Sequence, residues 1–486
     1  MTTSSGVVFP LSPEGTRSTS ALGRAVVADA LRGVDPIGAR GAEQETNWRS
    51  GYLVHFRRLV EAGLTSTEAA RQIAADGLAS LHGRMKVRSD GQDVSLDEAM
   101  NQPVPPDETL ETAVIAGEGT PERELVLPYR GRRLQGDQLA HQLDAWEEAG
   151  VIEPSCAEAV RAVMANPGWL DLSDVKVVTF GAGAEMGPVR AVLRWGGDVV
   201  GIDLPDRGIW NRLADIAGRY AGRLYLPVRQ GDGEMTERAG ADLLHDLPAL
   251  LQWLSGFDGR LVLGNYVYAD GATHVRVAMA VDALTSRLLD ERDDAVLSCL
   301  ATPTDVFAVP FEAVAHSVDA YERRSKLRLV RRPLKVLSAG RLLQRNYAKG
   351  SDPGISDCLV PQQGPNYALA KRLQRWRATD AQAHGRTVSF NVAPPTRTRS
   401  VTRNRALAAV YAGAHRFGVE VFEPGTANTL MAALLVHDLR RPAPPREHPW
   451  MDEVAGAAHG GLWRVAYAPR SALGLAAVVG LAGARG

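Results

Sequence analysis

Residues 175–205 read VKVVTFGAGAEMGPVRAVLRWGGDVVGIDLP and carry the most information about the architecture of this chain. An apolar run, VKVVTF, stops at a glycine cluster that contains Gly181, Gly183 and Gly187. A segment with helical spacing follows, and a second apolar run, DVVGID, ends on Asp203. Apolar runs separated by a glycine turn and a helical pattern predict the order strand, tight turn, helix and strand.

This order, with an acid at its end, is one way in which proteins hold a nucleotide. Glycines let the backbone approach a phosphate, a helix start offers free N–H groups, and a carboxylate accepts hydrogen bonds from a ribose diol. Asp203 lies 22 positions after Gly181, close to the spacing expected for that pairing. The glycine spacing is GxGxxxG rather than GxGxxG, so a purely structural turn is the alternative interpretation.

The rest of the chain continues the alternation of strands and helices. Further apolar runs that predict strands are LYLPV (224–228), LVLGNY (261–266), AVLSCLATPT (295–304) and TVSFNVAPP (387–395). Segments with helical patterns separate them. This alternation predicts an α/β fold with a doubly wound, mostly parallel sheet.

Composition limits the class of protein. The chain has 486 residues, 45% hydrophobic and 23% charged, with a formal net charge of −1, so no global field favours nucleic acid or an anionic membrane. Cys156, Cys299 and Cys358 are too few and too scattered for a disulfide framework or a zinc site, which suits a reducing cytoplasm. No metal site is predicted. The N-terminus lacks the pattern of a signal peptide, and the apolar tail at 472–483 is too short to span a bilayer.

Shifts in composition suggest domain boundaries. Residues 1–45 are rich in Ser, Gly, Arg and Ala and are predicted to be a mobile segment. Residues 46–170 are predicted to form a mostly helical N-terminal region. A nucleotide-binding domain is expected over 171–470, with an inserted lobe at 303–360, and residues 471–486 form a C-terminal tail.

A second informative feature is the pair Tyr367 and Lys371 in PNYALAKRL. Residues four apart on a helix share a face, so the phenol and the ammonium can point into one cleft. A neighbouring lysine lowers the pKa of a phenol and can also hold a ribose hydroxyl. Such a phenol suits proton exchange with a carbonyl or hydroxyl during hydride transfer. Taken alone, the spacing is more typical of a solvated pair on an exposed helix.

The helix is followed by GRTVSFNVAPPTRT (385–398), an apolar strand that ends in a proline-containing turn. With these features in this order, residues 175–470 resemble the short-chain dehydrogenase/reductase family. The resemblance implies a Rossmann-like fold and an NAD(P)-dependent oxidoreductase that interconverts a carbonyl and a hydroxyl. It implies that Tyr367 exchanges the substrate proton, and that Lys371 lowers the pKa of Tyr367 and holds the ribose. Thr398, at the end of the turn, would lie at the cofactor.

The same resemblance carries further cofactor-binding residues. In ADLLHD, Asp242 matches the family's acidic position near the adenine, and in GNYVYADG, Asn265 matches the asparagine of the fourth strand. Asp203 favours NAD, because a carboxylate repels a 2′-phosphate; Arg207, four residues on, leaves NADP open. The turn departs from the family, since Val189 stands where its last glycine belongs.

The family's catalytic hydroxyl at the end of the fifth strand has two candidates here. Thr302 ends the expected fifth strand but lies 65 positions before Tyr367, and Ser356 lies only 11 before it. Strand topology favours Thr302, and the spacing favours Ser356. The distance also predicts the insertion between that strand and the tyrosine helix.

Two other readings of the chain stay open. A Gly-x-Gly turn followed by DVVGIDLP also resembles S-adenosylmethionine-dependent methyltransferases, although Thr179 and Phe180 stand where an acid usually precedes their first glycine. The second interpretation is a relative of the short-chain dehydrogenase/reductase family that binds a nucleotide without catalysis. The expected partners are a small-molecule substrate bulkier than a simple alcohol and, from the resemblance, further copies of the chain. His274 is interpreted as an ordinary structural histidine, and the basic run 321–335 as a solvated face.

Overall fold

A computed structural model describes residues 5–89, 91–323, 338 and 341–483. The strands, in chain order, are β1 (Gly6–Val8), β2 (Lys86–Ser89), β3 (Gln92–Ser95), β4 (Leu110–Ala116), β5 (Leu127–Tyr129), β6 (Arg132–Leu134), β7 (Val175–Phe180), β8 (Asp198–Ile202), β9 (Arg223–Arg229), β10 (Arg260–Asn265), β11 (Val296–Ala301), β12 (Val306–Val309), β13 (Gly354–Asp357) and β14 (Val388–Val392).

The helices, in chain order, are α1 (Thr19–Arg32), α2 (Pro36–Glu43), α3 (Trp48–Gly63), α4 (Thr67–Arg84), α5 (Leu96–Met100), α6 (Gly136–Glu148), α7 (Pro154–Ala165), α8 (Val189–Trp195), α9 (Arg207–Arg219), α10 (Met235–Arg238), α11 (Leu247–Ser255), α12 (Ala272–Glu291), α13 (Phe311–Arg323), α14 (Pro365–Ala383), α15 (Arg399–Arg403), α16 (Arg405–Gly413), α17 (Pro424–Arg440), α18 (Pro449–Val454) and α19 (Pro469–Gly483). Among the helices of the described residues, none is long and apolar enough to cross a bilayer.

A seven-stranded sheet with the order β14-β11-β10-β7-β8-β9-β4 organises the molecule. Five of its neighbouring pairs are parallel, and only β4 and β9 pair antiparallel. The predicted mixed α/β class with a mostly parallel sheet is therefore confirmed. The strands after β7 proceed to one side as β8 and β9, whereas β10, β11 and β14 lie on the other. The strand order therefore reverses between β7 and β10, which is the kind of position where open α/β sheets bind ligands.

Each face of the sheet has its own apolar core, because successive side chains of a strand point to opposite faces. On β7, Val178 and Phe180 belong to the core that includes α1, α4, α12 and α14. Val175 and Val177 belong to the core that includes α7, α8 and α17. Helices thus cover both faces of the sheet.

The first 45 residues differ from the prediction of a mobile segment. Described residues there form β1, which pairs with β2, and the helices α1 and α2. On α1, Leu22, Val26 and Leu31 are buried in the main core, and the Ser18 side chain caps the helix by accepting from the Ala21 N–H. The apolar stripe of α1 is narrow and lies among small residues, so the composition of this segment conceals its helical spacing.

The region 46–170 is less helical than predicted, because it also contributes strands. β4 lies in the acidic stretch 90–124, which contains several prolines and glycines, yet it pairs with β9 along seven residues, from Leu110↔Arg229 to Ala116↔Arg223. This pairing makes part of the N-terminal region an edge strand of the central sheet. Of the residues of β4 only Leu110 is buried, and even Val114 is exposed, so β4 is not covered as the inner strands are.

The predicted insertion at 303–360 contains an antiparallel pair, β12 and β13, and the helix α13. Of the basic run 321–335, everything after Arg323 lies outside the described residues. The tail forms α19, which packs on α16 at close range because both helices carry glycine there. A Cβ on Gly413 or on Gly480 would overlap the partner helix backbone, at 2.0 and 1.9 Å.

Candidate functional site

The glycine turn after β7 and the acid after β8 lie together. Gly181 has a φ of +84°, and a Cβ there would lie 3.0 Å from the Val267 backbone, so glycine is needed. The Gly183 N–H donates a 2.8 Å hydrogen bond to Asp203 Oδ2. Burial raises the pKa of Asp203, against the backbone hydrogen bonds that lower it. The turn and the acid that the sequence pairs are thus in direct contact.

The third glycine of the turn, Gly187, lies beside the ring of Tyr266. A Cβ on Gly187 would be 3.6 Å from that ring. Tyr266 directly follows β10, and its hydroxyl lies 3.2 Å from Ser298 Oγ on β11. The ring therefore lies where the strand order reverses, a position that the sequence pattern did not reveal.

The glycine turn is also joined to the segment after β14. Glu185 Oε2 accepts a 2.7 Å hydrogen bond from the Arg399 N–H, and the Glu185 backbone carbonyl accepts one of 3.1 Å from Asn428 Nδ2. Thr398, predicted to lie at the cofactor, directly precedes Arg399, and its hydroxyl lies 2.9 Å from Ser400 Oγ. Two loops that are 214 residues apart thus meet at the turn. Glu185 was not among the predicted site residues.

Thr302, Tyr367 and Lys371 meet at the carboxyl end of β11. Thr302 directly follows that strand; its hydroxyl lies 2.8 Å from Thr304 Oγ1 and close enough to the Tyr367 phenol to lower the pKa of that phenol. One turn further along α14, Lys371 Nζ lies 3.4 Å from both the Leu300 carbonyl and Gln374 Oε1. The predicted pair on α14 is therefore half-buried against the sheet rather than solvated.

Ser356, the competing hydroxyl, lies in β13 and has other neighbours. Its side chain is fully buried, 3.3 Å from Cys358 Sγ, and it lies close enough to the Tyr347 phenol to lower the pKa of that phenol. The Tyr367 phenol instead has Thr302 beside it. Of the two candidates, the geometry brings only Thr302 to the tyrosine.

The pKa values in this group depart from the expectation of an acidic phenol. Burial raises the pKa of Tyr367, and the nearby Thr302 hydroxyl only partly offsets that effect. Burial also lowers the pKa of Lys371 to about 8. Because desolvation disfavours both charged forms, the phenol in this structure is a protonated donor rather than a phenolate.

An aromatic cluster surrounds the phenol. The His274 ring stacks on Tyr367 with centroids 5.4 Å apart and planes at 11°, and the Tyr268 ring lies 6.4 Å from Tyr367. Tyr411 of α16 is close enough to influence the pKa of Tyr367. His274 therefore belongs to the surroundings of Tyr367. The sequence gave no reason to place it there, because the contact depends on how α12 packs against α14.

Asp242 follows Ala241, whose N–H donates to the Asp203 carbonyl at 3.0 Å, and Asn265 ends β10; both residues have local hydrogen bonds. Asp242 Oδ1 accepts from the Leu244 N–H at 2.9 Å, and the Asp242 N–H donates to Asp246 Oδ2 at 2.8 Å. Asn265 ends β10, is buried, and accepts from the Val267 N–H at 3.2 Å. The side chains of both predicted cofactor residues therefore already have hydrogen-bond partners within their own loops.

Seven strands with this order and a Thr–Tyr–Lys group at the carboxyl end of β11 define an α/β protein with a polar candidate site. No family model matches the chain, and no curated protein matches it. Among solved structures, a thiolation-reductase di-domain from an archaeal non-ribosomal peptide synthetase is similar at 12% identity and a TM-score of 0.27. The match covers 57% of this chain and 54% of that one, about half its length. A similarity of this degree supports no conclusion about fold or activity.

Proposed function

We propose that the chain is an NAD(P)-dependent oxidoreductase of short-chain type that interconverts a carbonyl and a hydroxyl on a small molecule. The observation that carries this proposal is the contact of Thr302 and Tyr367, with Lys371 one turn away, at the carboxyl end of β11. Counted from β7, the parallel strands have the order 3-2-1-4-5-6, which is the order of Rossmann dinucleotide-binding sheets. Residues 171–470 form the nucleotide-binding domain in this proposal.

The residues at the carboxyl ends of β7 and β8 fit a dinucleotide. A Cβ on Gly181 would lie 3.0 Å from the Val267 backbone and one on Gly183 would lie 3.1 Å from Asp203, so the turn presents backbone rather than side chains, and a ribose diol at Asp203 would donate hydrogen bonds to its carboxylate. In the family's arrangement, Asp242 would lie toward the adenine, and Asn265 and Thr398 toward the nicotinamide. The cofactor would supply the hydride.

One charge near the turn acts against a pyrophosphate. The Glu185 carboxylate repels phosphate, and its ion pair with the Arg399 side chain, at 3.5 Å, reduces that repulsion. We therefore expect the pair to persist when a dinucleotide binds.

NAD is the preferred cofactor in this proposal. The Asp203 carboxylate repels a 2′-phosphate, and Arg207, the cation that could attract one, is already paired with two carboxylates. The Arg207 guanidinium bonds Glu237 at 2.7 Å and Glu234 at 2.6 Å. NADP would have to compete with these two carboxylates.

The chemistry of the three residues favours carbonyl reduction. Thr302 positions the substrate oxygen, and the protonated Tyr367 donates its proton to that oxygen as a hydride reaches the carbonyl carbon. The phenolate that remains is stabilised by the Lys371 ammonium. Tyr268 and Tyr411 beside the phenol favour a substrate with an apolar body.

A thermal-shift titration with NADH, NADPH and S-adenosylmethionine tests the proposal. A ligand that binds only the folded state at a hundredfold excess over its Kd stabilises it by about 2.7 kcal/mol. We expect a shift with NADH that Asp203→Ala abolishes and Tyr367→Phe retains. A shift with S-adenosylmethionine alone would overturn the proposal in favour of a methyltransferase. No shift with any of the three would indicate a non-catalytic relative.

A further inference from the structure

His274, near the start of α12, is held in one tautomer by its backbone neighbour. The ring is 1% exposed, and Nδ1 accepts a 3.2 Å hydrogen bond from the Ala269 N–H. A nitrogen that accepts from an amide carries no proton. Burial and the nearby Lys371 ammonium lower the pKa of His274 to about 3, so the ring is neutral. Its single N–H is therefore on Nε2.

This Nε2–H has no hydrogen-bond partner in the described part of the chain, although it is buried. Buried donors in folded proteins are nearly always paired, and an unpaired one is costly. The ring itself is fixed, because it stacks on Tyr367 on one side and contacts Tyr268, 5.5 Å away. An immobile donor without an acceptor thus lies beside the proposed proton-donating phenol.

We propose that His274 is a ligand-binding residue whose Nε2–H donates a hydrogen bond to a hydroxyl or carbonyl oxygen of a molecule held at Tyr367. The inference rests on the proposed function and names a contact beyond it. The oxygen has two possible sources: a ribose hydroxyl of the dinucleotide or the carbonyl group of the substrate. A neutral donor in this position selects oxygen acceptors over amines, since an ammonium group offers no lone pair.

Nitrogen-15 spectra of the histidine-labelled protein test the contact directly. The His274 Nε2–H resonance is assigned by its loss in His274→Phe. We expect it to move downfield and exchange more slowly when NADH is added, if the ribose is the acceptor. If the carbonyl is the acceptor, the change appears only when benzaldehyde is added to the NADH-containing sample. A resonance that neither addition moves overturns the proposal, as does an Nδ1-protonated tautomer.

Two variants separate the donor from the shape of the ring. His274→Asn keeps an acceptor for the Ala269 N–H but lacks a donor at the Nε2 position, whereas His274→Gln provides an amide N–H there. We expect His274→Asn to lower the affinity for the ligand that shifts the His274 resonance by about tenfold, the size of one lost hydrogen bond. We expect His274→Gln to restore most of that affinity. Equal affinities in both variants would contradict a donor role.

Urea unfolding without ligand distinguishes this role from a structural one. A residue kept for binding leaves an unpaired donor, so His274→Phe should lose no more stability than the one hydrogen bond from the Ala269 N–H contributes. A loss of stability well beyond that single bond would identify a packing role and overturn the inference. If the wild type binds neither NADH nor NADPH, the proposed function fails by itself. The His274 resonance with benzaldehyde alone then still decides whether an oxygen acceptor reaches Nε2.

Discussion

Lys371 is a single residue of the candidate site whose burial lowers the stability of the folded protein. Burial lowers its pKa from 10.5 to about 8, so the unfolded chain binds more protons between these values. The free energy of unfolding therefore rises with pH across that window. We expect Lys371→Met to raise it by about 1–3 kcal/mol at pH 7, and by less at pH 10, while turnover is lost. Urea unfolding at both pH values measures this; a destabilised variant would contradict it.

The two candidate hydroxyls give a matched pair of substitutions. Thr302→Val removes the hydroxyl that lowers the pKa of Tyr367 at nearly constant volume, so the pKa of the phenol should rise further. We expect kcat/KM to fall by about tenfold to a hundredfold, the size of a lost positioning contact. Ser356→Ala, inside the β12–β13 pair, should leave kcat/KM within about threefold. The reverse ranking would assign the role to Ser356.

These residues also show how much of the site the sequence could predict. The turn, the acid after β8 and the Tyr-x-x-x-Lys helix are local patterns, so their positions follow from the chain itself. Glu185 and His274 became visible only in three dimensions, because their contacts join loops or helices that are far apart in the chain. The direction of the Tyr367 pKa shift was also missed, since burial cannot be read from spacing.

The helix α14 depends on buried ion pairs that its sequence conceals. Its run KRLQRWR is typical of an exposed face, yet Arg372 and Arg375 are both buried against Asp305, at 3.0 and 2.7 Å. Asp305 precedes β12 and lies 67 and 70 residues from these arginines in the chain. Helix periodicity could therefore predict the helix but not its burial. The pairs fix α14 against the segment that carries Thr302.

Breaking these pairs should cost both stability and alignment. Asp305→Ala leaves two buried guanidinium groups without that partner, and we expect a loss of about 3–5 kcal/mol in the free energy of unfolding. Asp293→Ala removes the partner of Arg386 on the surface, where the aspartate is fully exposed, and should cost less than about 1 kcal/mol. Urea titrations of Asp305→Ala and Asp293→Ala compare the two losses in the free energy of unfolding. Equal losses would show that the buried pairs of Asp305 do not stabilise the fold.

The Asp305 pairs also predict a response to acid. Burial raises the pKa of Asp305, but Arg372 and Arg375 outweigh that effect and leave it below 3.8. The stabilisation is therefore present above pH 3.8 and is lost as the pH falls through the folded value. The difference in the free energy of unfolding between the wild type and Asp305→Asn should therefore become smaller as the pH falls through that acidic range.

At the scale of the whole molecule, the N-terminal third is part of the same packed body as the sheet. His82 of α4 lies 2.7 Å from Asp282 of α12, which also pairs with Arg377 of α14 at 2.8 Å. Gly77 of α4 packs so closely on Trp376 that a Cβ would lie 2.5 Å from the ring. The sequence predicted a separate helical region here, because such contacts between distant segments leave no local pattern.

This packing predicts that the central sheet does not fold alone. A fragment of residues 120–486 keeps every parallel strand but loses β4, which leaves the edge of β9 unpaired, and loses α1 and α4, which cover α14. The exposed face would include Trp376, and the Asp282 cluster would lack His82. We expect the full chain to unfold in one transition by circular dichroism and tryptophan fluorescence, and the fragment to aggregate or lose cooperativity. A soluble fragment that unfolds cooperatively and binds NADH would instead show that the nucleotide-binding part is an independent domain.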